Sequence, residues 1–414
     1  MKATARLYCK ARPLSAQYVV QEQTAPAVWE WDPNSNTVLL QEEYTSMPYE
    51  PIRPERLKQM LNKLREAIYE PIAELEVTAW VTPEPVSYEE RMSGTKVTLT
   101  QGERWGDLWD CAWFRFAGRL RAGERHQNAV LLLDVSGLPG KRVVQLQEMS
   151  VNGQEVEVWA DAGNNDLFGK YRGGTLKEAV IAYCREDIRN LYYDTEVLLE
   201  TAEQLHEGSA RKEKIFQTLY DILLQLTAFS KEHIEQAKKR LDKQLSMQGG
   251  DPVLTLSAIG HAHIDLAWLW PIRETIRKGA RTFSTVLRMM ERYPDYVFGA
   301  SQPQLYDWMK QHYPKLYDQI KERVREGRWE PQGAMWVESD TNVPGGESLV
   351  RQILYGKRYF QQEFGLEIKS LWMPDVFGYS ASLPQLLKKS GVDYMMTQKL
   401  SWSEYNRHPH HSFL

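Results

Sequence analysis

The stretch IGHAHIDLAW, Ile259 to Trp268, sets two histidines and an aspartate at alternate positions: His261, His263 and Asp265. On an extended chain, alternate residues face the same side. Neutral imidazole nitrogens and an ionised carboxylate on one face are ligands that zinc or cobalt accepts. A histidine pair two residues apart is also common as plain structure or surface, so the surrounding elements must decide. A second acidic position is Asp375 in WMPDVFG, between apolar Trp372 and Phe377. As a turn residue or cap it would be ordinary. In an apolar setting it needs a metal or a cation such as Lys399 to offset its charge.

The elements that must position these residues follow from periodicity. From VLTLSAIG onward, apolar runs alternate with amphipathic stretches. The runs are VLTLSAIG, YVFGAS, WEPQGAMW, IKSLWMP and DYMMTQK; a helix from about Gln304 to Glu326 and another over GGESLVRQILYGKRYFQQEFG lie between them. Repeated β-α units predict a parallel sheet with its helices outside, either a barrel or an open doubly wound sheet. In such folds chemistry gathers at the carboxyl ends of the strands. Those ends carry, in order, His261/His263/Asp265, Ser301/Gln302, Trp336/Glu338/Asp340, Asp375 and Gln398/Lys399. Five polar ends in a row predict a site. Glu338 and Asp340 read better as caps of the following helix than as acids. Trp268 and Trp270 suit either helix packing or a platform for a sugar ring. His408, His410 and His411 imitate a metal tract but read better as solvated residues.

Upstream, TKVTLTQ, CAWFRFAGRL, NAVLLLDVSG and QEVEVWAD alternate with period two and predict a β-rich, sandwich-like domain over residues 1–170, interrupted by one helical insert at PERLKQMLNKLREAIYEPI. Residues 171–250 read as a helical connector: EAVIAYCREDIRNLYYDTEVLLETAEQLHEG and ARKEKIFQTLYDILLQLTAFSKEHIEQAKKRLDKQL each repeat apolar residues at helical spacing. Gly249-Gly250-Asp251-Pro252 ends that pattern and opens the third region, 251–414.

Composition narrows the partners. Hydrophobic residues make up 42% and charged residues 26%, and the net charge is −4 with a pI near 6.2. With no basic run, nucleic acid and anionic membranes are excluded as main partners. No apolar run approaches the roughly 20 residues that span a bilayer, and MKATARLYCKARP lacks the apolar core of a secretory signal. Cys9, Cys111 and Cys184 offer no disulfide framework, which predicts a reducing cytoplasm.

GHAHIDLAWLWPIRET, GRWEPQGAMWVESDTNVPGGESLVRQ, WMPDVFGYSASLPQLLKKSG and TQKLSW together resemble the α-mannosidases of glycoside hydrolase family 38, most of all their cytosolic and bacterial branch. The likeness runs from about Val253 to Leu414 and extends more loosely upstream. It implies an irregular α/β barrel with zinc, or cobalt, at its carboxyl face, acting on α-mannosides and their oligosaccharides. Carried over by position, His263, Asp265 and Asp375 are the metal ligands, and Asp375 is also the nucleophile. Trp268 stacks on the sugar, Lys399 lies beside Asp375, and His261 is not a direct ligand. The family's fourth ligand and its acid/base carboxylate fall beyond residue 414. Residues 251–414 are also short of the roughly 250 typical of such a barrel. The expectation is therefore an incomplete barrel, inactive or nearly so by itself, from a full-length protein that is a homo-oligomer. Two other readings stay open: a metal-dependent amidohydrolase, since HxHxD opens that barrel too, and a non-catalytic sugar-binding remnant.

Overall fold

A computed structural model describes residues 28–32, 37–41, 54–120, 128–136, 142–146, 155–164, 174–226, 228–247 and 256–405. The Gly249–Pro252 break, the start of VLTLSAIG and the three histidines near residue 410 lie outside them.

The first half is a β-sandwich with helices on one face. A hairpin, β1 (Val28–Asp32) and β2 (Thr37–Gln41), is followed by α1 (Pro54–Glu66), β3 (Tyr69–Glu74), β4 (Glu76–Thr82) and β5 (Thr95–Leu99). Then come β6 (Arg104–Gly106), β7 (Cys111–Arg119), β8 (Ala129–Asp134), β9 (Arg142–Gln145), β10 (Glu155–Gly163), β11 (Gly174–Thr175) and β12 (Glu178–Cys184). One antiparallel sheet has the order β10-β7-β4-β5, the other β3-β12-β8-β9. Strand β8 shows why the layers stack as they do. Leu131 and Leu133 face Val77, Phe114, Phe116 and Ile181 between the sheets. Val130 and Leu132 point the other way, into a second core with Leu57, Leu64, Leu191, Leu219 and Leu241 of the helices. A strand buried on both faces reads as one apolar run.

Three expectations change here. Residues 178–184, assigned to the first long helix, form β12 in the middle of a sheet, so the sandwich runs past residue 170. Ala179 to Ala182 are apolar without a break because Ile181 faces the sandwich core and Ala182 the helices. The second long helix is two: α3 (Ala210–Gln225) and α4 (Lys231–Leu245), after α2 (Glu186–Gln204). Ser209 and Ser230 each accept a hydrogen bond from the backbone N–H three residues on, so each starts its own helix. The end of the helical insert, from Tyr69, is strand β3. All three helices pack on the sheet through the shared core.

The second half alternates β13 (Gly260–His261), α5 (Ile272–Arg292), β14 (Phe298–Ala300), α6 (Pro303–His312), α7 (Pro314–Arg325), β15 (Trp329–Pro331), α8 (Gly346–Phe364), β16 (Ser370–Met373), α9 (Leu383–Lys389) and β17 (Tyr394–Thr397). The helix expected over 304–326 breaks at Tyr313, where Pro314 begins a new one. Strands β13-β14-β15 pair in parallel, as do β16 and β17, and among the described residues they do not close into a barrel. The core beneath is aromatic: Phe283, Phe298, Tyr306, Trp329 and Phe360 are fully buried. Its polar atoms are satisfied, with Trp329 Nε1 donating to Tyr306 Oη (2.9 Å) and Tyr306 Oη to the Ala300 carbonyl (2.9 Å).

The two halves meet at the first turns of α5. Arg277, 4% exposed, donates through Nε to Asp161 of β10 (2.9 Å) and through Nη1 to Glu274 (3.0 Å). Its Nη1 also lies 3.4 Å from Cys111 Sγ. Burial pushes the Cys111 thiol up, with Arg277 pulling the other way. No described helix is long and apolar enough to cross a membrane.

Candidate metal centre

Side chains from all five strand ends of the second half meet in one cluster. After β13 the chain leaves regular strand geometry at Ala262, and His263 and Asp265 stand on the loop that leads to α5. His263 Nε2 lies 3.3 Å from Asp265 Oδ1 and 3.4 Å from Asp375 Oδ2, beyond the end of β16. The ligand atoms of these three residues all lie within 4.8 Å of one another. Lys399, just past β17 and 9% exposed, pairs with the other oxygen of Asp375. Its ammonium also sits 3.3 Å from the centre of the Trp402 ring and 4.5 Å from that of Phe377, a cation held between two π faces.

One imidazole nitrogen and two carboxylate oxygens converging on one point suit a divalent cation. Two acidic groups aimed at the same ring nitrogen would otherwise repel each other across a short gap. The residues present therefore fit a metal.

The other side of His263 is also fixed. Its Nδ1 lies 3.1 Å from Glu338 Oε2, and the Glu338 side chain is 5% exposed. Glu338 Oε1 accepts from Ser301 Oγ at 2.7 Å. Burial works against a charged His263 ring, but Glu338 and Asp265 outweigh it and raise its pKa. Gln302 ties the loops together: its Nε2 donates to the Ile264 carbonyl (2.9 Å), and its Oε1 accepts from the Glu338 amide (3.1 Å). Its φ of 69° lies in the left-handed region, uncommon for a residue with a side chain, and these two bonds hold it there.

Glu338 is the residue that sequence reasoning undervalued. It caps no helix. The signal was its place at the carboxyl end of the third strand, level with the other polar ends. Asp340 caps no helix either: its carboxylate accepts from the amides of Asn342 (3.3 Å) and Val343 (2.8 Å) in the turn before α8, whose N-cap is Gly345.

His261 lies outside the cluster, so counting ligands by alternation overshoots by one. Its Nε2 accepts from Trp372 Nε1 at 2.9 Å, and burial, with His263 adding to it, lowers its pKa to about 4. It is a neutral acceptor that fixes an indole. Trp336 donates to Gln304 (3.1 Å) and packs edge-on to Tyr359, away from the cluster. Gln398 bonds within its own turn to Ser401. His312, the extra histidine an amidohydrolase would need, is exposed at the end of α6.

The two tryptophans after Asp265 differ. Trp270 is 7% exposed and its Nε1 donates to Thr275 Oγ1 (2.8 Å), so it packs the start of α5. Trp268 is 48% exposed, edge-on to Trp270 with ring centres 5.3 Å apart. Of the two, Trp268 is the more open to solvent.

Two family models match parts of the chain. Residues 253–414 match the family model described as "Glycosyl hydrolases family 38 N-terminal domain". Residues 71–138 match one described as "Alpha-mannosidase, jelly roll domain". Alpha-mannosidase 2C1 of Mus musculus is 32% identical over 383 residues, covering 84% of this chain and 36% of that protein. Alpha-mannosidase G of Dictyostelium discoideum is 32% identical over 412 residues, covering 89% and 38%. An alpha-mannosidase of Saccharomyces cerevisiae is 36% identical over 278 residues, covering 62% and 26%. The chain thus spans well under half the length of these relatives.

Proposed function

We propose, from the premise that residues 253–414 are a glycosyl hydrolase family 38 N-terminal domain, that the protein hydrolyses terminal α-mannosyl residues with retention, through a covalent intermediate on Asp375. The observation that supports this most is the placement of Asp375. One oxygen lies beside His263 and Asp265, the other is paired with Lys399. A carboxylate held by two different partners has few ways to rotate, which suits a nucleophile that must meet one carbon.

The residues divide the work. His263, Asp265 and Asp375 would hold a zinc ion, with cobalt the alternative, and bound there it would supply Lewis-acid orientation of the cis hydroxyls at C2 and C3 of an α-mannoside. Trp268 offers an indole face to the apolar side of the pyranose. Asp375 attacks the anomeric carbon, forming a carbon–oxygen ester bond as the bond to the leaving oxygen breaks. That oxygen takes a proton from the acid/base carboxylate the family resemblance implies, which later accepts one from the incoming water. Water then cleaves the ester at the same carbon, and the two inversions give retention. Lys399 offsets the charge that returns to Asp375 when it is released. Gln302 and Glu338 keep the loop of His263 in register with the loop after β15. The same reading places the protein in a reducing cytoplasm, supported by Cys111 and Cys184, both buried and free.

The test is trapping. A mannosyl donor with fluorine at C5 keeps the C2 and C3 hydroxyls, and a dinitrophenyl leaving group departs without a proton donor. With zinc present, peptide mapping should place the label on the peptide containing Asp375, and Asp375→Asn should abolish it. Label on another carboxylate, or hydrolysis undiminished in Asp375→Asn, would overturn the assignment. Mannoside binding with no label at all would favour the non-catalytic sugar-binding reading.

A further inference from the structure

Between the two halves lies a shallow, open cleft of about 390 Å³ of which the reaction above uses only Trp268. It is lined by Trp268, Leu269, Trp270, Pro271 and Arg273 from the loop leading into α5, and by Trp109 from the loop between β6 and β7 of the sandwich. Trp109 is half-buried and has a φ of 71°, a left-handed conformation that a bulky side chain rarely takes. Both halves hold it there. Its amide donates to the Asn164 carbonyl (3.1 Å), and its own carbonyl accepts from Arg273 Nη2 (3.4 Å). Arg273 Nη1 is in turn 3.0 Å from Glu84. Backbone strain of this kind persists only where the surroundings over-determine it, and it gathers at ligand sites.

We propose that this cleft is a second sugar subsite, which takes the ring adjoining the one held beside Asp375, so that the sandwich domain helps to choose the substrate. The proposal rests on the mannoside reading above. The lining has the chemistry a pyranose needs: indole faces for its C–H side, and a guanidinium whose N–H groups can donate to hydroxyls. The volume falls in the range of small-molecule sites, about 300–1,000 Å³, and junctions between domains are where such sites gather. Continuity decides the occupant. Trp268, three residues past Asp265 and largely exposed, belongs both to the cleft wall and to the loop of the metal centre. A saccharide whose terminal ring lies on Trp268 therefore extends next to Trp109 and Arg273.

Calorimetric titration of the whole chain with zinc, using methyl α-mannoside and an α-linked mannobiose, tests this. Trp109→Gly removes the ring and accepts a φ of 71° without strain, so the loop keeps its path. Trp109→Phe serves as the conservative variant, and thermal unfolding confirms that both fold. Mannobiose should bind wild type about tenfold more tightly than methyl α-mannoside. Trp109→Gly should erase that advantage without weakening methyl α-mannoside, and Trp109→Phe should restore part of it. Equal binding of the two ligands by wild type, or an advantage that survives Trp109→Gly, overturns the subsite and leaves the mannoside reading intact. If neither mannoside binds but a gluco-configured disaccharide shows a Trp109-dependent advantage, the subsite stands and the mannoside reading falls. Absence of heat with every saccharide overturns the subsite too.

Discussion

Glu338 Oε2 lies 3.1 Å from His263 Nδ1, on the side of the ring opposite Asp265 and Asp375. A carboxylate behind the ring, in ion-pair range of Nδ1 though off the line of a hydrogen bond, favours a proton on Nδ1 and leaves Nε2 toward the two aspartates. Such partners of a ligand histidine are commonly worth about 10–100-fold in metal affinity. Glu338→Gln, which keeps the shape and the bond from Ser301, should therefore weaken zinc binding by about tenfold, and Glu338→Ala by up to about a hundredfold. Competition against a chromophoric chelator measures this without any turnover. An unchanged zinc affinity in both variants would show that Glu338 is packing alone.

Arg277, like Arg273 with Glu84, is a charge that joins the halves. Its removal leaves Asp161 without this partner and leaves Glu274, itself 3% exposed, with Arg281 alone (2.6 Å). Breaking a buried pair from one side costs about 3–5 kcal/mol. Arg277→Met should lower the urea midpoint accordingly. Asp161→Asn in the same chain should recover part of the loss, because it takes away a charge left unpaired. Independent, additive effects of the two substitutions would contradict a direct coupling.

Gly356 sits within α8, where alanine would ordinarily favour a helix by about 1 kcal/mol. Here a Cβ would stand 2.2 Å from the Ala334 carbonyl oxygen, in the loop that carries Glu338. Backbone cannot swing aside as a side chain can, and overpacking costs about 1–3 kcal/mol. Gly356→Ala should thus destabilise the chain, against the helix-propensity expectation, with zinc affinity falling alongside. Chemical denaturation reads the first effect and chelator competition the second.

Glu363 accepts from Lys310 Nζ (2.6 Å) and Tyr317 Oη (2.9 Å). Burial opposes its charge, but these two partners more than offset that and hold its pKa below the usual glutamate value. A carboxyl whose pKa is lower folded than unfolded stabilises the fold above the unfolded value, and the contribution disappears as pH falls through the folded one. Glu363→Gln should therefore cost stability at neutral pH and flatten the acid limb of the stability profile below about pH 4.3. Melting curves from pH 3 to 7 would show it. A parallel downward shift at every pH would rule out the linkage.

Much of the centre was legible from the chain because strand ends are marked by a change from apolar to polar residues. That placed His263, Asp265, Glu338, Asp375 and Lys399 at one edge before any contact was known. Their roles were less legible. Alternation put His261 with His263, but alternation holds only while the strand lasts, and regular pairing stops at His261. What removes His261 from the cluster is Trp372, a contact between residues 111 positions apart. Glu338 looked like a cap because a carboxylate before a helix usually is one; only the fold brings His263 behind it. The misread helix over residues 178–184 has a similar origin. A strand covered on one face by helices and on the other by a sheet loses its alternation, and periodicity alone cannot separate it from a buried helix.

The Arg277 junction also bears on how the molecule deforms. Helix α5 begins at Ile272, immediately after the loop bearing His263, Asp265 and Trp268, and Arg277 pins the helix's second turn to the sandwich at Asp161. The loop is thus a short tether between two anchors, β13 at one end and a salt-bridged helix at the other. A displacement of the sandwich at β10 therefore acts on the loop of His263 and Asp265 at its α5 end, through Arg277.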